Sequence, residues 1–134
     1  MNARREGRTP VTGDAEHWTP LLPSRAITVG PQRVLLADVP LVVWRTTGGR
    51  PVVFVDRCPH HGLALSTGRR TFTGRLVCDG HGWEFDATGA CRRAPGRPLS
   101  EVAGRHASVV PCRLADDQLW VRTDASGAPL AETP

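Results

Sequence analysis

The chain has 134 residues, of which 40% are hydrophobic and 22% charged, as expected for one globular domain with its own core. Its net charge is +4, all 17 basic residues are Arg, and neither Lys nor Tyr occurs. The Arg residues are scattered rather than gathered into a stripe with aromatic platforms, which argues against a nucleic-acid binder, and no apolar run approaches the ~20 residues of a membrane span.

Residues 1–16 are polar, Arg-rich and without periodicity, and read as a flexible arm. No apolar stretch follows these Arg residues as a secretory signal requires, so the expected compartment is the cytosol. The domain is expected over residues 17–123. Val34 to Val39 reads as a short strand, and Leu41–Arg45 and Pro51–Val55 read as a hairpin around Thr46–Arg50. Arg70 to Val77 alternates loosely. Trp83-Glu84-Phe85 leads into a turn at Asp86–Gly89 and then to Ala90-Cys91. Leu99 to His106 has room for one helical turn, limited by Gly104 and nearby prolines. Ser108–Leu114 and Gln118–Arg122 form a last hairpin around Ala115-Asp116-Asp117, and residues 124–134 read as a disordered tail. No internal repeat is apparent. Short strands with turn signals between them indicate an all-β sandwich or small barrel.

Two boxes carry the chemistry. The first is Cys58-Pro59-His60-His61-Gly62 and the second Cys78-Asp79-Gly80-His81-Gly82. Each offers one thiolate and one imidazole from a tight turn, and a strand pair between the boxes would hold the turns side by side. Thiolates suit iron–sulfur clusters, and imidazole on one iron raises the reduction potential. Charge explains the effect: two ferric ions, two sulfides and two thiolates sum to zero, and a neutral core accepts an electron more readily than an anion. A structural zinc site accepts the same ligand types, but zinc fingers usually pair Cys with Cys and His with His. Redox cluster and zinc-stabilised interaction module therefore stand as the two readings of the boxes.

The chain resembles the Rieske domain of bacterial Rieske non-haem iron oxygenases and their ferredoxins. The resemblance runs from about Trp18 to about Val121. It includes CPHHGLALSTG (Cys58 to Gly68), GRLVCDGHGWEFDATGAC (Gly74 to Cys91), Pro95 and the closing DDQLWV (Asp116 to Val121). It implies the Rieske (ISP-domain-like) fold: small antiparallel sheets with a two-loop cluster-binding tip. It implies one [2Fe–2S] cluster, with Cys58 and Cys78 on one iron and His60 and His81 on the other. The implied function is electron transfer as a ferredoxin-like component between a reductase and a terminal oxygenase, with no nucleic acid and no membrane as partner. The alternative is a Rieske subunit, or shortened derivative, of an oxygenase whose catalytic iron lies on another chain. After His81 only His106 remains, so no 2-His-1-carboxylate set is available and no catalytic residue is expected.

Oxygenase domains often carry Pro and an aromatic between the second Cys and His, where this chain has Asp79 and Gly80. They often carry Arg after the first ligand His, where this chain has His61. Respiratory Rieske loops commonly carry a disulfide, a Ser two residues after the second ligand His, and a nearby Tyr. Here Trp83 holds the Ser place, no Tyr exists, and the disulfide cysteines are missing. Fewer donors to the cluster sulfurs imply a potential near the low end of the range, about −150 mV rather than +300 mV. His61 reads as an exposed neighbour of the ligands, Cys91 and Cys112 as buried free thiols, and His17 and His106 as ordinary surface or packing residues. Trp83 and Phe85 read as packing beneath the cluster, and Trp18, Trp44 and Trp120 as core. Arg69, Arg70, Arg92 and Arg93 flank the boxes, as a solvated surface or as a rim steering an acidic partner.

Overall fold

The computed structural model describes residues 17–60 and 62–132. The expected arm at 1–16, His61 and residues 133–134 lie outside them. Among the described residues ten strands form three small antiparallel sheets. The first joins β1 (His17–Pro23), β10 (Gln118–Thr123) and β9 (Cys112–Ala115), in that order. The second joins β2 (Gln32–Leu36), β3 (Val39–Arg45) and β4 (Pro51–Val55). The third joins β5 (Arg69–Arg70), β6 (Leu76–Val77), β7 (Glu84–Phe85) and β8 (Cys91–Arg93). Among the described residues regular helix is confined to three short 3-10 turns at Ser24–Ala26, Leu65–Thr67 and Leu99–Glu101. Among the described residues no helix is long and apolar enough to cross a membrane.

Sequence periodicity explains the sheets. In β10 the residues alternate between half-buried and buried, so Leu119, Val121 and Thr123 face inward. β3 and β4 are apolar on both faces because each face meets a core. Leu41, Val43 and Val53 pack with Leu119 and Val121, while Val42, Trp44 and Phe54 pack toward Cys58, Cys78 and Trp83. Trp44 and Phe54 meet edge to face at 5.6 Å.

Several expectations change. The expected strand at Val34–Val39 is broken by a two-residue turn in which Ala37 and Asp38 both have positive φ, so β2 ends at Leu36 and Val39 opens β3. The loosely alternating Arg70–Val77 segment folds back as a hairpin, in which Gly74 N–H closes onto Thr71 C=O. β1 carries Pro20 and Pro23, which mask it as a strand; it is tolerated as an edge, with a register shift between Pro20 and Leu22. Trp18 and Trp120 are half-buried on the outer face of that sheet, with the Arg113 guanidinium 4.2 Å over the Trp18 ring; Trp44 alone of the three is core.

The segment after Thr123, read as a tail, turns back onto the fold as far as Glu132. Thr123 pairs with Pro129, and Glu132 exchanges both backbone hydrogen bonds with Val109. The cause is a side-chain turn. Asp124 Oδ1 accepts from Ser126 N–H, Ser126 O–H and Ala128 N–H. Asp86 Oδ1 does the same with Thr88 and Ala90, so DATGA and DASGA are one local motif used twice.

Asp86 also accepts from Arg92 Nε at 2.8 Å. Burial raises its carboxyl pKa, but the hydrogen bonds from Thr88 and Arg92 outweigh burial and hold it below the ordinary value. A carboxyl lowered in the fold stabilises above its unfolded pKa of about 3.9, and that stabilisation is lost as pH falls through the lower folded value. Asp86→Asn should therefore flatten the acid limb of a melting-temperature profile below about pH 4. Parallel limbs for the variant and the parent would refute this assignment.

Candidate metal centre

The two boxes form two loops at one end of the molecule. The first leaves β4 and returns through the Leu65–Thr67 turn to β5; the second joins β6 to β7. As the spacing implies, a strand pair holds them together: Arg69 and Arg70 of β5 pair with Val77 and Leu76 of β6. The two loops share one hydrogen-bond frame. Cys58 N–H donates to Leu63 C=O at 2.7 Å, and Cys78 N–H to Trp83 C=O at 2.9 Å. Gly62 N–H donates back to Cys58 C=O at 2.7 Å, and Gly82 N–H to Cys78 C=O at 3.0 Å. Gly62 and Gly82 adopt φ of +76° and +74°, a left-handed bend that a side chain would strain. The frame is common; the imidazole sits two residues after Cys58 but three after Cys78.

This frame buries both sulfurs and leaves the imidazoles outward. Cys58 and Cys78 are buried, His60 is half-buried and His81 exposed. The His60 and His81 rings stand edge to face with centroids 5.1 Å apart. Trp83, which is buried, stacks on His60 with centroids 4.0 Å apart and planes 9° apart. It thus packs directly on an imidazole, closer to the chemistry than a residue merely beneath it. Phe85 follows at 6.5 Å from Trp83.

Neighbouring groups fix the loops from outside. Asp56, whose side chain is fully buried, accepts from Ser66 N–H at 2.7 Å, Ser66 O–H and Arg33 at 3.1 Å. It thereby closes the first loop across its base. Pro95 lies against Gly82, where an added Cβ would meet its Cγ at 3.4 Å. Gly68 approaches Val77 so closely that any Cβ would overlap Val77 C=O, which seats the first loop beside the strand leading to Cys78.

The remaining cysteines are half-buried and outside this arrangement. Burial raises the Cys91 thiol, which points at Arg93 C=O, and pushes Cys112 up to about 11. Both stay protonated thiols at neutral pH. Arg92 pairs with Asp86 and Arg93 with Glu84 while both Arg side chains stay more than half exposed, and Glu84 also takes Arg75 at 3.3 Å. His106 is half-buried and pairs with Ala90, and His17 is exposed at the start of β1. His61 lies outside the described residues. A concavity of about 370 Å³ lies at the other end of β4, between Arg50, Val52, Val109, Cys112 and Arg113, well away from the imidazoles.

Among the described residues no three His, Cys, Asp or Glu side chains converge on a single ion. Two buried thiols and two outward imidazoles are donor types that an iron–sulfur cluster accepts. The model of the Rieske [2Fe–2S] domain matches residues 17–121. The chain belongs to the Rieske [2Fe–2S] domain family. Its cofactor is a [2Fe–2S] cluster, which sets aside the zinc reading. This Rieske chain is 42% identical over 102 residues to the 3-chlorobenzoate-3,4-dioxygenase oxygenase subunit of Comamonas testosteroni, covering 72% of this chain and 23% of that one. It is 40% identical over 121 residues to chloroplastic pheophorbide a oxygenase of Oryza sativa subsp. japonica, covering 84% and 23%. Among solved structures, dicamba monooxygenase bound to dicamba superposes with a TM-score of 0.70 at 28% identity, over 84% of this chain and 34% of that one. NdmA of Pseudomonas putida CBB5 superposes with a TM-score of 0.69 at 30% identity, over 81% and 34%. This Rieske chain thus spans about a quarter of those curated relatives and a third of those structures.

Asp56→Ala should leave the Ser66 donors without their buried acceptor and cost about 1–3 kcal/mol of stability. Urea denaturation checks this, and a loss under about 0.5 kcal/mol would show that Asp56 does not anchor the loop.

Proposed function

We propose that Cys58 and Cys78 bind one iron of the cluster and His60 and His81 the other, and that the chain passes single electrons within an oxygenase system. The observation that carries the reading is the shared loop frame, which sets two buried thiols and two neighbouring imidazoles at one end of the fold. When bound, the cluster supplies reversible one-electron transfer. The protein residues shape that transfer. The loop amides hold the cysteines inward, Trp83 fixes the His60 ring, and His81 keeps an exposed edge where a redox protein can approach.

The first placement is a ferredoxin-like carrier between a nicotinamide-fed reductase and a terminal oxygenase. A second placement, as the Rieske part of an oxygenase acting with a catalytic iron domain, is favoured by the relatives, which are themselves oxygenases. Titrating the reduced protein against an oxygenase deprived of its ferredoxin separates the two: turnover supports the carrier, and none supports the second placement.

His60→Ala and His81→Ala should each abolish the Rieske EPR signal, whereas His61→Ala should keep it. Retention of the signal in the His60 variant and its loss in the His61 variant would reverse the assignment. Protein-film voltammetry at neutral pH should give a midpoint near the low end of the family range, about −150 mV, because Trp83 and the lack of Tyr leave few donors for the reduced state. A midpoint well above zero would overturn both the low-potential reading and the oxygenase-chain role.

A further inference from the structure

Leu63 and Trp83 hold equivalent places in the two loops. Each gives its carbonyl to the cysteine of its own loop, and each sends its side chain across to the other loop. Trp83 crosses to stack on His60. Leu63 crosses to Gly80: a Cβ built at Gly80 would stand 2.4 Å from Leu63 Cδ1 and 3.8 Å from Cys78 Sγ. The end of the leucine thus fills the space that a side chain at position 80 would take, next to the second sulfur. It does so while 45% exposed, at the outer surface of the loop pair.

We propose that Leu63 and Gly80 are a matched pair, in which Leu63 caps the Cys78 sulfur and, with Trp83, cross-braces the two loops. The proposal rests on the ligand assignment above. Its physical basis is local. An apolar cap keeps water from the sulfur, and water is a hydrogen-bond donor that stabilises the more negative reduced state. The brace also fixes the loops through protein contacts alone, so the donors converge at small ordering cost. Leu63 is a positioning residue here, not a catalytic one.

Three variants of the full-length holoprotein test the pair. Leu63→Ala should raise the midpoint potential and shorten the bleaching half-life in air about fivefold. Gly80→Leu alone should also shorten it, because the new side chain and Leu63 compete for one space. Leu63→Ala/Gly80→Leu should restore the half-life to within about twofold of the parent, since the cap is then supplied from the second loop. Additive damage in the double variant, or an unchanged half-life in Leu63→Ala, would overturn the pairing. Iron and sulfide content and the EPR spectrum of the parent read the ligand assignment separately. A parent without the Rieske signal overturns that assignment, whereas a normal parent with additive variants overturns the pairing alone. Should Gly80→Leu fail to fold, Gly80→Ala provides the same reading. Its single methyl clashes only with the end of the Leu63 side chain and stands at ordinary contact distance, 3.8 Å, from Cys78 Sγ, so the fold should persist while the half-life falls; an unchanged half-life there would also overturn the pairing.

Discussion

The structure depends on where the amides of Cys58 and Cys78 point. Each donates to a carbonyl five residues ahead, and that bond bends the loop so that the thiol turns inward and the imidazole stays at the surface. A buried amide without an acceptor would cost about 1–3 kcal/mol, so the frame resists opening even apart from the metal. The same frame occurs twice with different histidine offsets, which makes the donor set asymmetric: the thiols lie in the core and the imidazoles meet solvent.

Three neighbouring features position these two bends. The β5–β6 hairpin sets their separation, Asp56 closes one at its base, and Pro95 lies against the other. The core beneath is continuous with the cysteines, since Cys58 and Cys78 pack in the same cluster as Trp44, Phe54 and Phe85. The proposed ligands thus share one set of contacts with the core, and on that assignment iron removal should lower the melting temperature without erasing the sheets. The first and second sheets share a separate core around Leu41, Val53 and Leu119, which does not include the loops.

The ligand candidates were legible in the sequence because they lie in two short segments whose residue types and spacing are rarely met together. Hairpins with strong turn residues, such as Thr46–Arg50, were equally legible. β1 was not, since Pro20 and Pro23 hide a strand that exists only because β10 lies beside it. The ordered segment after Thr123 was missed although a signal was present: DASGA repeats DATGA, and an Asp side chain can build the same turn in both places. Two contacts carried no local signal at all. The stacking of Trp83 on His60 and the seating of Leu63 on Gly80 join residues about 20 positions apart and follow only from the pairing of the loops.

The claim that two thiolates and two imidazoles divide between two irons is tested most directly by hyperfine spectroscopy of the reduced protein grown on ¹⁵N-histidine. The account predicts two coupled histidine nitrogens on the reduced centre of the parent, falling to one in any His60 or His81 variant that still holds iron. A parent showing no coupled nitrogen, or one unchanged by either substitution, would contradict it.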